Sequence, residues 1–119
     1  MERVNVVEKF NLFSDCWNLK IAAELNDSYI ELANFEDEFV WHHHEKEDEL
    51  FFVMRGRLVI KLRDGEVCVG PGEFLVIPGG VDHLPMAEDK VHVILIELKT
   101  TLNTGNVVGH KTVTDLGKI

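Results

Sequence analysis

The most informative stretch of the chain reads Trp41-His42-His43-His44-Glu45-Lys46-Glu47-Asp48-Glu49-Leu50-Phe51-Phe52-Val53. Side chains on a β-strand alternate between its two faces, so a strand through the histidines would direct His42 and His44 to one side and His43 to the other. Glu49 begins an apolar run, and a tight hairpin across the acidic loop would bring its carboxylate over the two imidazoles. This stretch therefore predicts three polar ligands from one hairpin.

Short apolar runs separated by turn signals extend this pattern in both directions. The predicted strands cover residues 19–25, 29–35, 38–44, 49–54, 58–62, 67–69, 74–77 and 91–98. The first six form three predicted hairpins, the last of them turning at Asp64-Gly65. Only residues 4–13 fit a helical period, and a strand fits them nearly as well. About eight short strands without long helices predict an all-β fold, an antiparallel sandwich or barrel with at most a short N-terminal helix.

Length and composition restrict the class of protein. A chain of 119 residues with 45% hydrophobic content suffices for one core, so residues 1–119 are predicted to form a single domain. Twelve basic and 21 acidic residues give a net charge of −9, which disfavours nucleic acid and anionic membrane surfaces as partners. Cys16 and Cys68 lack a CxxC spacing and are predicted to be small buried residues. No apolar run approaches the roughly 20 residues of a membrane span, so we expect a cytoplasmic protein.

His83 follows the turn Pro78-Gly79-Gly80 and is predicted to supply a fourth ligand from a neighbouring strand end. Imidazole and carboxylate together suit one divalent transition metal ion, with Fe, Mn, Ni, Co and Zn all compatible. The alternatives are that His42 and His44 are solvent-facing, that Glu49 belongs to a solvated charge run, and that His83 is a loop histidine. Because imidazole must be neutral to bind, metal affinity is expected to weaken below about pH 6.5.

These residues resemble the two motifs of the cupin superfamily. The first motif is His-x-His, then Glu after three or four residues and Gly after six more; the second is Gly, five residues, Pro-x-Gly, two residues, His, three residues and Asn. The corresponding residues here are His42-His43-His44, Glu49 and Gly56, then Gly72, Pro78-Gly79-Gly80, His83 and Ala87. Ala87 replaces the terminal Asn, which is not a metal ligand in the family. The motif core spans 38–87, and the sequence is similar to small stand-alone single-domain bacterial cupins, some of them labelled mannose-6-phosphate isomerase-like.

The resemblance implies a cupin-type antiparallel jelly-roll β-barrel that holds one metal ion in its open mouth. Residues 100–119 are expected to pack on the barrel as a C-terminal tail. Exposed sheet edges favour pairing, so we expect a homodimer through the N-terminal strands. Two classes of function stay open: a metal-dependent oxygenase or isomerase acting on a small polar molecule, and a non-catalytic module that binds metal or a small ligand. No acid/base pair is evident outside the metal ligands, which favours an oxidoreductase among the enzymes.

The remaining histidines and the apolar strand residues carry weaker expectations. His43 is predicted to face the surface or a dimer interface, and His110 carries no signal. His92, on the face shared by Ile94 and Ile96, is predicted to be a core or pocket-rim histidine, with support of a metal ligand as the alternative. A pocket over the metal could be lined by Phe51, Met54, Phe74, Ile77 and Met86, although apolar strand residues belong to a core by default. Positive φ or close backbone approach is expected at Gly56, Gly72 and Gly80.

Overall fold

The structure is a computed structural model that describes all 119 residues, Met1–Ile119. Strands dominate it, with one short helix near the N-terminus. The elements are α1 (Val6–Phe10), β1 (Lys20–Leu25), β2 (Ser28–Glu38), β3 (Glu49–Arg55), β4 (Leu58–Leu62), β5 (Gly65–Val69), β6 (Phe74–Ile77), β7 (His83–Leu98) and β8 (Gly117–Lys118). Every predicted strand except the one at 38–44 corresponds to one of these elements.

Strand β7 is the longest strand and joins the parts of the barrel. One of its edges pairs with β2, and its other edge pairs first with β4, through residues 83–86, and then with β3, through residues 92–97. Beyond these neighbours, β5 pairs with β4, β6 with β3, and β1 with β2. All of these pairings are antiparallel. The chain is an antiparallel jelly-roll β-barrel, which confirms the predicted all-β fold class.

Alternate residues of these strands fill the barrel interior. Val93 lies opposite Ala33 on one side and Val53 on the other, and none of the three is accessible to solvent. The buried core cluster comprises Leu19, Ala33, Phe35, Phe51, Val53, Leu58, Ile60, Val69, Ile77, Ala87, Val91, Val93 and Leu95. Burying a Val, Leu, Ile or Phe side chain contributes about 1.5–3 kcal/mol. This apolar interior is the physical basis for expecting the barrel to fold without a bound ion.

Helix α1 confirms the expected short N-terminal helix, over fewer residues than the 4–13 pattern. Asn5 caps it, because the Asn5 side chain accepts a hydrogen bond of 3.1 Å from the Glu8 backbone N–H. A helix of five residues has too few hydrogen bonds to be stable alone. Phe10, which is buried, anchors it by stacking on the His92 ring with 4.5 Å between centroids.

The predicted hairpin of 38–44 with 49–54 is wrong. The edges of β3 pair with β6 and β7, so no edge is left for the histidine segment. Residues 39–48 are irregular, except that His42 forms an isolated antiparallel bridge with His83. The bridge consists of His42 N–H to His83 O at 3.0 Å and His83 N–H to His42 O at 2.9 Å. Two of the histidines are therefore adjacent through their backbones, and not through a hairpin with β3.

The C-terminal residues lie on the barrel at two places. Strand β8 pairs in parallel with β1 at Lys20 and Ile21. Nearer the histidines, the Asn106 N–H donates to His43 O at 3.0 Å, and the His43 N–H donates to Asn106 Oδ1 at 2.8 Å. These contacts place part of the tail directly against the histidine segment. Helix α1 lacks the length and apolar character that crossing a membrane requires.

Candidate metal site

Four buried polar side chains converge inside the barrel: His42, His44, Glu49 and His83. Each offers one nitrogen or oxygen atom, and these four atoms all lie within 4.8 Å of one another. Glu49 Oε1 is 3.3 Å from His44 Nε2 and 3.5 Å from His83 Nε2. The structure thus brings together the four residues that the sequence singled out. Their role as metal ligands stays a prediction.

The backbone positions these side chains through three connections. The bridge between His42 and His83 joins two distant parts of the chain. The Gly80 N–H donates to His44 O at 2.7 Å, which ties the Pro-Gly-Gly turn to the third histidine. Glu49 is the first residue of β3, and its inward orientation follows from the alternation that buries Phe51 behind it.

The donor atoms have the chemistry and spacing of a metal-binding set. His42 Nδ1 is 2.9 Å from Val40 O, and His83 Nδ1 is 2.9 Å from Val81 O. A carbonyl oxygen only accepts, so Nδ1 carries the proton in both rings and Nε2 offers its lone pair to the cluster. An ion with bonds of about 2.1 Å places neighbouring ligands roughly 3 to 4 Å apart, which includes both distances from Glu49 to the imidazoles. The three imidazoles and the carboxylate therefore suit a divalent metal ion.

Three buried atoms of the cluster have no ordinary hydrogen-bond partner: His44 Nε2, His83 Nε2 and Glu49 Oε1. Leaving a buried polar atom unpaired typically costs about 1–3 kcal/mol, and more for a charged group. Such atoms facing one another at 3.3 and 3.5 Å are explained by a shared cation between them. This is the observation of the structure that most directly supports a bound metal.

Burial and neighbouring charges set the protonation of the cluster. Burial, followed by the neighbouring His83, lowers the pKa of His42 to about 4, so this imidazole is neutral at pH 7. Burial alone would raise the pKa of Glu49, but the close His44 and His83 rings and a hydrogen bond from Glu97 outweigh it and lower that pKa below its usual value. The site thus presents a neutral imidazole beside a carboxylate, the protonation states that bind metal.

Two further buried carboxyl groups lie beside Glu49, and the sequence interpretation missed both. Glu97 is opposite Glu49 in the β3–β7 register, and Glu31 is on the neighbouring strand β2. Burial, with the charge of Glu49, raises the pKa of Glu97 well above its usual value, and burial raises the pKa of Glu31. A neutral Glu97 can donate a hydrogen bond to the Glu49 carboxylate. The signal was available, because Glu97 has the same strand parity as the buried Val93 and Leu95.

His43 lies outside the cluster, as the alternation predicts. Its Nδ1 is 2.9 Å from Asp82 Oδ1 and its Nε2 is 3.1 Å from Glu45 Oε1. These two hydrogen bonds raise the pKa of His43. His92 shares a face with Ile94 and Ile96 as predicted, but that face is the outer one and His92 is partly exposed, so the expected core or pocket-rim position is wrong.

The pocket beside the cluster is apolar, but its lining differs from the predicted one. It is lined by Trp17, Leu19, Phe35, Phe39, His42, Glu49, Phe51, Pro85, Leu95 and Asn103. Of the residues proposed from sequence, only Phe51 belongs to it. Phe74 is 63% exposed and Met54 and Met86 are partly exposed, because their strand parity turns them outward, while Ile77 is in the core cluster.

The shift at His42 predicts a pH dependence of folding in the metal-free protein. The pKa of His42 is 6.5 in the unfolded chain and about 4 in the folded chain. The contribution of neutral His42 to folding stability is therefore fully present above pH 6.5 and is lost as the pH falls towards 4. A shift of this size corresponds to roughly 3 kcal/mol. Urea unfolding with a chelator at pH 7 and pH 4.5 should show a larger loss for the wild type than for His42→Gln, which cannot titrate.

Comparing the wild type with His42→Gln removes the contribution of other titrating groups to the pH dependence. Glu31 and Glu97 have raised pKa values and act in the opposite direction, since they favour folding less as the pH rises. They are present in both proteins, so only the difference between the two pH dependences reports on His42. Equal losses in the two proteins would show that His42 is not buried in its neutral form.

Comparison with known proteins agrees with this architecture. Residues 28–98 match the family described as "Cupin domain". A crystal structure of a cupin-2 domain protein from Shewanella frigidimarina is 43% identical, with a TM-score of 0.80 over 81% of this chain and 94% of that one. A Neisseria meningitidis protein is 25% identical, with a TM-score of 0.75 over 82% of this chain and 100% of that one. Among curated proteins, the uncharacterized protein YdbB of Bacillus subtilis is 44% identical over 62 residues, 51% of this chain and 55% of that protein's length.

Proposed function

Since this chain belongs to the cupin domain family, we propose that it holds one divalent transition metal ion through His42, His44, Glu49 and His83 and oxidises a small molecule. The metal part of this proposal is supported by the buried donor atoms that lack any other partner. A redox-active ion bound there would supply dioxygen chemistry and polarise a substrate oxygen. The protein's own contribution is to hold the imidazoles through Nδ1, keep Glu49 ionised and exclude water with the apolar lining of the pocket.

Oxidation fits the pocket better than isomerisation. An isomerase needs a side chain that carries a proton to and from the substrate. Apart from His42 and Glu49, the only polar side chain that lines the pocket is Asn103, and an amide does not serve that purpose. Glu97 is buried behind Glu49 and does not line the pocket. The chemistry is therefore assigned to the ion.

A non-catalytic binding module is the second candidate function. The free space in the pocket is about 20 Å³, which is about the room that one water molecule needs. A pocket of this size suits a protein that retains an ion or a very small ligand. This alternative and the enzyme share the same ligand set and differ in whether a substrate is turned over.

Metal content and oxygen uptake, measured on the same protein, separate the two candidates. The protein would be loaded with Fe(II), Mn(II) or Zn(II) and assayed with sugars, diketones, thiols and phenolic acids. We expect one ion per chain and oxygen uptake with at least one redox-active ion, both abolished in His44→Ala and both retained in His43→Ala. Stoichiometric metal without uptake would favour the binding module, and a protein that retains no metal would refute both.

We further propose a homodimer, formed through the outer face of the sheet β6-β3-β7-β2-β1. Residues directly opposite one another on neighbouring strands share a face, so the register defines two apolar rows. The first row is Phe74, Phe52, Ile94 and Leu32; the second row is Val76, Leu50, Ile96, Ile30 and Ala23. Phe74 is 63% and Val76 is 46% exposed. Because β8 occupies part of the outer edge of β1, the face is a better candidate than the N-terminal strand edge that the sequence suggested.

A second copy of the chain is the partner that this face fits. With the usual spacing between strands and between residues of a sheet, the exposed and partly exposed positions of the two apolar rows cover roughly 350 Å². A usual interface of about 800 Å² per partner would have this patch as its apolar centre and the surrounding polar residues as its rim. With a net charge of −9 per chain, two copies repel elsewhere, and these rows carry no acidic residue; Lys20, opposite Leu32, is the one charged residue in line with them. An apolar face that meets itself across a two-fold axis avoids that repulsion.

Sedimentation velocity at micromolar concentration tests this dimer. We expect a dimer for the wild type and a monomer for the double variant Phe74→Ser, Val76→Thr. The matched control is Val108→Ser, because Val108 is 79% exposed but lies in the tail. A monomeric wild type, or a dimer that survives the double variant, would contradict the assignment of this face.

A cytoplasmic location is the last part of the proposal. Both cysteines are free thiols; Cys16 is partly buried and Cys68 is exposed, so the predicted burial of Cys68 is wrong. Free exposed thiols suit a reducing compartment. Fractionation of the producing cells would test it, and recovery of the protein outside the cytoplasm would contradict it.

A further inference from the structure

Stacked aromatic rings occupy the pocket beside the ligand cluster. The Trp17 indole stacks on Phe35, with 4.3 Å between centroids and 12° between planes, and on Phe39, with 4.7 Å and 18°. Phe39 in turn meets the His42 ring edge to face at 5.5 Å. Phe35 meets Phe51 at 6.2 Å, and Phe51 meets His83 at 6.5 Å. Aromatic contacts therefore connect Trp17 with two of the four clustered residues.

The lining of this pocket selects against strongly polar ligands. It contains no Lys or Arg, and Asn103 is its one polar side chain besides His42 and Glu49. A sugar would leave several hydroxyl groups unpaired there, and a phosphate would have no cationic partner. A molecule with an apolar body and one or two oxygens would leave few polar groups unpaired. The pocket therefore favours a less polar substrate than the small polar molecule expected from the sequence.

Trp17 is held in place by two hydrogen bonds to β2 and by ring stacking, and a flat ligand can replace the stacking. It lies in the segment between α1 and β1, with φ at +62°, a backbone conformation that a bulky residue rarely adopts. Two hydrogen bonds to β2 hold it: its backbone N–H donates to Asn34 O, and its indole N–H donates to Glu36 O, both at 2.9 Å. The indole is only partly buried, so it can leave the pocket without opening the barrel.

The small size of the pocket indicates that Trp17 fills the space that a flat ligand could take. With the indole in place, the free space is about 20 Å³, too small for any ring. Because the indole stacks on both Phe35 and Phe39, removing it would leave a flat slot against these rings, in the pocket that His42 and Glu49 also line. A planar molecule would recover in that slot the stacking that the indole provides now.

We propose, on the basis of the function proposed above, that the site accepts small molecules with a single flat apolar ring and an oxygen substituent, such as phenols. The ring takes the place of the Trp17 indole against Phe35 and Phe39, and the oxygen faces His42 and Glu49. Trp17 is the internal occupant of the slot, and a ligand binds by displacing it.

Tryptophan fluorescence of a zinc-loaded variant tests this displacement. The chain has two tryptophans, and Trp41 lies apart, with Arg63 over its ring at 4.0 Å, so Trp41→Phe leaves Trp17 as the only reporter. Zinc is redox-inert, which separates binding from turnover. We expect phenol to shift the Trp17 emission to longer wavelength in a saturable way, because the displaced indole enters water. Glucose 6-phosphate should cause no shift.

Calorimetry on two further variants separates displacement from unspecific binding. Trp17→Ala removes the competing indole and should bind phenol about two- to tenfold more tightly than the wild type, which is the effect of losing one aromatic pair. Phe39→Leu keeps an apolar side chain but removes the stacking surface, and should bind phenol more weakly by a similar factor. Circular dichroism and zinc binding confirm that each variant is folded.

The outcomes distinguish this inference from the proposed function. Zinc binding without any phenol-induced shift, or phenol affinity that is unchanged in Trp17→Ala, would overturn the ring-binding slot and leave the metal site standing. A shift with glucose 6-phosphate equal to that with phenol would overturn it as well. If phenol displaces Trp17 in a protein that binds no zinc, the slot is supported and the metal-dependent function is refuted.

Discussion

Replacing His83 with alanine should lower the affinity for zinc by more than about 100-fold, since even the loss of a group that only orients a ligand commonly costs 10- to 100-fold. His83 is fully buried, and its Nε2 has no partner other than the cluster. Its removal leaves Glu49 with one imidazole fewer to balance a buried charge. Isothermal titration with zinc at pH 7.5 would measure the effect directly.

The matched control for His83→Ala is His43→Ala. His43 belongs to the same histidine segment, but its ring nitrogens bond to Asp82 and Glu45, outside the cluster. The zinc affinity of the His43→Ala protein should stay within about twofold of the wild type, as expected for surface substitutions away from the site. The backbone bridge between residues 42 and 83 does not need the side chain, so His83→Ala should fold without metal. Equal zinc affinity of His83→Ala and the wild type would show that the cluster is not the zinc site.

Replacing Gly105 with alanine should destabilise the fold and weaken zinc binding together. Gly105 has φ +55°, and a Cβ atom there would overlap His43 O and lie 3.2 Å from His42 Cδ2. The tail must move away, which strains the backbone and breaks the two hydrogen bonds between Asn106 and His43. Strain and lost hydrogen bonds together predict about 2–4 kcal/mol of lost stability in urea unfolding. Because His42 loses a packing neighbour, we also expect roughly tenfold weaker zinc binding.

Gly109→Ala is the control for this effect. Gly109 lies in the same tail, and a Cβ atom built there meets no atom within 4 Å. Its stability and zinc affinity should match those of the wild type. If Gly105→Ala behaves like Gly109→Ala, the tail does not support the histidine segment.

Local sequence patterns predicted most of the strands correctly. The hairpin of β4 and β5 and the bounds of β6 follow from apolar runs between turn residues, and these are short-range signals. The glycines of the two motifs also behave as expected: Gly56, Gly72 and Gly80 all have positive φ. At Gly56 a Cβ would meet Lys90 O and Val91 Cα at 3.1 Å, so the position has no room for a side chain.

The predicted pairing of the histidine segment failed because pairing is decided by competition between strands. Residues 38–44 look like a strand, but β3 already pairs with β7 and β6, and both of those pairs bury large apolar side chains. His42 and His44 still both point into the buried cluster, as their two-residue spacing predicts. The prediction of the cluster therefore did not depend on the hairpin.

By itself, the sequence determined that the chain is an all-β barrel and which four residues form the buried cluster. Alternation and turn chemistry act over a few residues, and the spacing of the two motifs places the same side chains together in any barrel that satisfies them. Only the tertiary structure decided the neighbours of that cluster: the buried Glu97 and Glu31, the Trp17 indole in the pocket and the tail at Gly105. These contacts join residues far apart in the chain, and their geometry is set by how the strands pack against one another, which no local pattern specifies.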